Sequence, residues 1–167
     1  YQAVSYLIQQ GHRKIAVLGG PATSYPSMMR RQGAQQAMED AGIVFNDKLY
    51  GLSNYDFESA YHAMNSLLAR RAEFTALFAM SDVIAFGAIR ALVSAGLRVP
   101  EDVSVIGFDG ITMSRYCVPV LTTVVQPSEQ ISLQSIELLV RQIEHGTPAQ
   151  TVTLQPELQQ GESVRAI

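Results

Sequence analysis

Short, uniformly apolar runs alternating with glycine-terminated helical stretches constrain this chain more than any other feature. Residues 15–18, Ile-Ala-Val-Leu, are apolar at every position. A strand with one wet face would alternate, so this run is expected to be covered on both faces, as in a parallel sheet. It follows a helical stretch, residues 1–10, that places Val4, Leu7 and Ile8 on one face and stops at Gly11, a suitable left-handed terminator. Gly19, Gly20 and Pro21 then break the strand, and a helix is expected from about 27 to 41, closed by Gly42.

The same alternation runs on to the end of the chain. A weak strand is expected at 48–52, then a helix capped by Asp56 with Ala60, Met64, Leu67 and Leu68 at helical spacing. Strands are expected at 75–80, 103–108 and 121–125, the last rich in Thr and Val. A helix opening at Ser81 or Asp82 ends at Gly96, and another from 128 to 145 ends at Gly146. Residues 151–154 read as a final strand. Strands separated by helices of this length mean βαβ units, so the expected class is α/β, a parallel sheet with helices on both faces. The 167 residues suit one domain or one lobe of a two-lobed domain.

Several function classes fall away. The net charge is −3 and no cluster of five or more Lys/Arg occurs, whereas a duplex-binding surface needs a concentrated basic patch. The single cysteine, Cys117, allows no intrachain disulfide and reads as a small apolar side chain. No apolar run approaches the ~18 residues of a membrane span, and no charged-then-apolar leader opens the chain. Because the chain begins at Tyr1, apparently already inside a helix, it reads as a piece of something longer. There is no dinucleotide, Walker-type or nucleophile-elbow motif, and Pro21 removes an amide that a phosphate would need. His12, His62 and His145 are far apart without cysteine pairs, so neither a metal site nor a catalytic triad is suggested. An enzyme is not expected, nor a cofactor.

Ligands of open parallel sheets bind beyond the carboxyl ends of the strands. The residues there are Arg30 one helical turn after the first strand, Asn54 and Tyr55 after the second, Ser81 and Asp82 after the third, Asp109 after the fourth and Gln126 after the fifth. Guanidinium and carboxylate groups bond vicinal hydroxyls bidentately, an amide adds both donor and acceptor, and a flat ring packs on a sugar or base. Plainer roles stand beside these. Arg30 can lie on a solvated helix face, Asp109 can cap a short helix, Tyr55 can pack, and Gln126 can lead into a helix. Asp82 is expected to be an N-cap, and His12 a surface or turn-stabilising residue.

Several segments, in order and over almost the whole chain, resemble the lactose/galactose-repressor family. They are Gly11-His12-Arg13-Lys14-Ile15-Ala16-Val17-Leu18-Gly19-Gly20, then Arg30-Arg31-Gln32-Gly33, then Ser81-Asp82-Val83-Ile84-Ala85-Phe86-Gly87-Ala88. The most specific is Gly96-Leu97-Arg98-Val99-Pro100-Glu101-Asp102-Val103-Ser104-Val105-Ile106-Gly107-Phe108-Asp109, followed by Pro119-Val120-Leu121-Thr122-Thr123-Val124. The resemblance implies a lobe like those of type I periplasmic binding proteins, within a cytoplasmic, homodimeric transcription repressor that reaches operator DNA through an N-terminal headpiece. The effector, a sugar, nucleoside or similar small polar metabolite, would sit between two lobes. Residues 1–125 would form the C-terminal lobe, and 126–167 a crossover helix and strand of the other lobe followed by a returning tail. Arg30, Asp109, Tyr55 and Gln126 match effector-binding positions. Ser81 stands where many sugar-responsive members carry Asn, and a hydroxyl lacks one of the amide's two groups. An extracytoplasmic sugar-binding protein of a transporter would share the fold, though the Gly11–Ile15 and Val99–Asp109 segments favour the repressor.

Overall fold

The computed structural model describes all 167 residues. A sheet of six strands runs in the order β2-β1-β3-β4-β5-β6. The strands are β1 (Ile15–Gly19), β2 (Tyr50–Leu52), β3 (Ala76–Ala79), β4 (Ser104–Asp109), β5 (Thr122–Val125) and β6 (Glu157–Gln159). β1 to β5 are parallel, and β6 closes the edge antiparallel to β5. The helices are α1 (Gln2–Gln9), α2 (Tyr25–Asp40), α3 (Phe57–Ala69), α4 (Asp82–Ser94) and α5 (Ser128–His145).

The expected α/β class is what forms. α1 and α2 pack together on one side of the sheet, α3 and α4 together on the other. That separation follows from right-handed crossovers: β1 to β2 steps one way across the sheet and β2 to β3 steps back. The uniformly apolar runs are buried along their length, Ile15–Gly19 and Ala76–Ala79 throughout. They anchor a core of 29 buried apolar residues.

The last strand falls later than expected. Residues 151–154 form no ladder, and the last strand is Glu157–Gln159 instead. A strand needs a neighbour's backbone groups, and β5 offers a free edge to 157–159 while 151–154 has α5, and no strand, beside it. From there the chain is tied down tightly. The Ser163 hydroxyl donates to the Val105 carbonyl at 2.6 Å and accepts from the Thr122 amide at 2.8 Å. Between departure and return stands α5, which has no buried residue. Leu133, Ile136 and Ile143 on it are exposed.

His12 is not a surface residue. It is 1% exposed, with Nδ1 at 2.9 Å from the Thr75 hydroxyl and Nε2 at 3.1 Å from the Arg165 carbonyl. The ring thus pins the α1–β1 turn to the start of β3 and to the tail. Burial holds its pKa below the ordinary value of 6.5. The unfolded chain therefore takes up this proton first, so His12 stabilises fully above pH ~6.5 and progressively less as pH falls through the window below it. Thermal melts from pH 7.5 to 5 should show a falling Tm, with a shallower fall in His12→Gln. Parallel slopes for the two proteins would contradict this role.

Candidate functional site

The order of the sheet reverses between β1 and β3, which opens a crevice at the carboxyl ends of those strands. Arg30 reaches across it from α2. Its Nη1 donates to the Met80 carbonyl just beyond β3. Its Nη2 donates to Asp109 Oδ1 at 3.3 Å, and its Cζ lies 3.9 Å from the centroid of the Phe108 ring. Phe108 was not singled out from the sequence. Its place one residue before Asp109 on β4 makes it the platform under the guanidinium, a favourable cation–π arrangement.

Asp109 ends β4 at φ 121°, a region that costs a non-glycine residue of the order of 1–3 kcal/mol. Its carbonyl accepts from the Gln126 amide at 3.1 Å, and its Oδ1 accepts from Gln126 Nε2 at 2.7 Å. Both protein donors converge on Oδ1, and no protein donor reaches Oδ2. Burial raises the Asp109 pKa, opposed first by the Arg30 charge and then by the Gln126 hydrogen bond. Three of the five residues selected from the sequence, Arg30, Asp109 and Gln126, are therefore one bonded cluster. The Arg30 and Asp109 side chains keep 18% and 25% of their surface, enough for a ligand to touch both.

Two depressions flank this cluster. One of about 340 Å³ is lined by Arg30, Phe78, Phe108 and Val124, with Tyr1 and Pro156 at its edge. The other, about 520 Å³ and more open, is lined by Asp109, Gly110, Gln126 and Ile131. An acceptor oxygen, a fork of N–H donors and a nearby apolar wall suit a small polyhydroxylated or heterocyclic molecule.

Tyr55 and Ser81 sit elsewhere. Tyr55, at φ 60°, lays its ring on Gly20 so closely that a Cβ there would overlap it. Its hydroxyl is buried without a partner. It packs at the carboxyl end of β1 and lines neither of the two depressions above. Ser81 is 3% exposed, and its hydroxyl accepts from the Ile84 amide at 3.1 Å. Ser81, not Asp82, is thus the N-cap of α4. The serine hydroxyl is spent on the orphan amide of the helix start. Asp82, displaced from the capping role, is fully buried and turned toward β4 and β5. Cys117 is half-buried, its thiol directed at the Ser114 and Pro119 carbonyls.

Comparison with known proteins agrees with this architecture. A family described as "Periplasmic binding protein-like domain" matches residues 4–164. The chain is 38% identical over 168 residues to the HTH-type transcriptional repressor PurR of Histophilus somni (strain 129Pt), covering 100% of this chain and 50% of that protein. Among solved structures, a transcriptional regulator CelR–cellobiose complex superposes with TM-score 0.93 at 36% identity, over 97% of this chain and 50% of that one. A dimeric Lac repressor superposes with TM-score 0.91 at 26% identity, over 98% of this chain and 60% of that one. The chain spans about half the length of the curated relatives it matches.

Proposed function

Since this chain belongs to the periplasmic-binding-protein-like domain family, as a LacI/GalR-type effector-binding core, we propose that it is the sensing lobe of a ligand-responsive transcriptional repressor. The observation that carries the reading is the Arg30–Asp109–Gln126 cluster at the switch point of the sheet, with Asp109 Oδ2 unclaimed. The effector is a small polar molecule bearing adjacent hydroxyls or ring nitrogens, a sugar or nucleoside, held by the guanidinium and the carboxylate. The cellobiose bound to one relative supports a sugar, and the cluster accommodates a nucleoside as well.

The lobe consists of residues 1–125 together with the returning segment from 157, and α5 belongs to a second lobe. Its exposed Leu133, Ile136 and Ile143 would pack there. The chain leaves after Val125 and returns at Gln155 and Pro156, beside Tyr1. An effector in the crevice would touch both lobes, so it would bind one lobe arrangement better than the other. Without that difference it would shift no equilibrium. A coupling of about 1–3 kcal/mol is typical. Operator DNA would be reached through a headpiece outside this chain, from a homodimer in the cytoplasm, as a regulator of this kind requires.

The test is operator affinity of the full-length protein with and without sugars and nucleosides that bind it. A change of roughly fivefold or more is expected with at least one. Equal operator affinity with every ligand that binds would contradict a regulatory role.

A further inference from the structure

Asp82 has no surface exposed, and its partners all lie on the two segments that carry Asp109 and Gln126. Oδ2 accepts from the Ile111 amide at 2.8 Å, two residues beyond Asp109. Oδ1 accepts from the Thr123 hydroxyl at 2.5 Å, three residues before Gln126 on β5. Gly107 and Thr123 face one another across β4 and β5, as do Asp109 and Val125. Asp82 sits directly above Gly107, where a Cβ would collide with Oδ1.

A buried carboxylate is costly and needs an explanation beyond capping, because Ser81 already caps α4. The geometry supplies one. The loop from Asp109 to Ile111 turns through φ 73° at Gly110, which glycine adopts freely, and φ 121° at Asp109, a conformation that persists only where surrounding groups over-determine it. Asp82 takes the Ile111 amide just past that turn. Through Thr123 it also grips the strand that delivers Gln126. The like charge of Asp109 adds to burial in raising the Asp82 pKa.

We propose that Asp82 is a positioning residue, which fixes the 109–111 turn against β5 so that Asp109 Oδ1 meets Gln126 and Arg30 and Oδ2 is left for ligand. The use of Oδ2 rests on the sensing function proposed above; the clamp itself does not. It is therefore tested first without ligand. The side-chain amide protons of Gln126 report its bond to Asp109, and exchange of the Ile111 amide reports the bond to Asp82.

In Asp82→Ala, the Gln126 side-chain resonances should move toward those of a solvated glutamine, and Ile111 exchange should rise roughly tenfold or more. Asp82→Asn, which keeps an acceptor for Ile111 and can still bond Thr123, should restore most of both signals. Loss of global stability alone would not move Gln126 selectively or be rescued in this way. Should Asp82→Ala not fold, Thr123→Val decides: it leaves the carboxylate but removes its tether to β5, and should shift Gln126 in the same direction by less. Unmoved Gln126 resonances in a folded Asp82→Ala, or in Thr123→Val if that variant alone folds, would overturn the proposal. If no sugar or nucleoside ever binds, the sensing function fails while these ligand-free signals still stand or fall by themselves.

Discussion

Alanine at position 107 is expected to lower folding stability by about 2–4 kcal/mol, a large change for a single added methyl group. Gly107 lies mid-strand in β4, where alanine is ordinarily harmless. Here the new Cβ would lie 2.9 Å from Leu121 Cδ2 and would overlap Asp82 Oδ1. Neither neighbour has room to yield, since Asp82 and Leu121 are both fully buried. Overpacking costs about 1–3 kcal/mol, and a buried carboxylate pushed off its donors costs a comparable amount. Gly42→Ala is the contrasting case. It has nothing within 4 Å of its would-be Cβ, so only its φ of 68° is penalised, by about 1–2 kcal/mol. Urea unfolding with unchanged m-values measures both. A Gly107→Ala protein within about 0.5 kcal/mol of the parent would mean that Asp82 is not held against β4.

Replacing Asp109 with alanine should weaken effector binding by about 1.5–3 kcal/mol, the usual range for a hydrogen bond involving a charged group. Arg30→Ala should cost about 2–3 kcal/mol, the lower end of the range for truncating one partner of a bonded charge pair, because this pair is part-exposed. It would also remove the donor to Met80 and uncover Phe108. Arg30→Lys should not rescue binding. A point-charge ammonium cannot bond Met80 and Asp109 together while stacking on a ring. Titration calorimetry of each variant in the full-length protein is the appropriate measurement. The two losses should fall short of additivity in the double variant, since both residues belong to one network.

How much of this was legible in the sequence depends on what each residue's role requires. The sheet is readable because the residue 15–18 and 76–80 runs are apolar throughout and too short for helices, as a doubly covered strand requires. Arg30, Asp109 and Gln126 are legible as neighbours because all three follow strands at one end of the sheet, and there they bond to one another. Ser81 and Asp82 were interchanged because both residues cap helices. Only the backbone direction at α4 decides which side chain turns to the first turn and which to β4. Tyr55 could not be placed because its orientation depends on Gly20, 35 residues away, leaving space for the ring. The segment 151–154 has strand-like residues but no partner strand beside it, and propensity alone does not make a ladder. His12 was assigned to a turn correctly but to the surface wrongly, since the tail that covers it comes from the far end of the chain.

A thermal-shift screen of sugars and nucleosides, run in parallel on the full-length protein and its Asp109→Ala variant, tests the central claim most directly. A ligand that binds the native state raises Tm by mass action. At least one such compound should stabilise the parent protein and lose most of that effect in the variant. A compound that raises both melting temperatures equally would place its site away from the carboxylate at 109 and the guanidinium at 30, and the assignment of this crevice would be wrong.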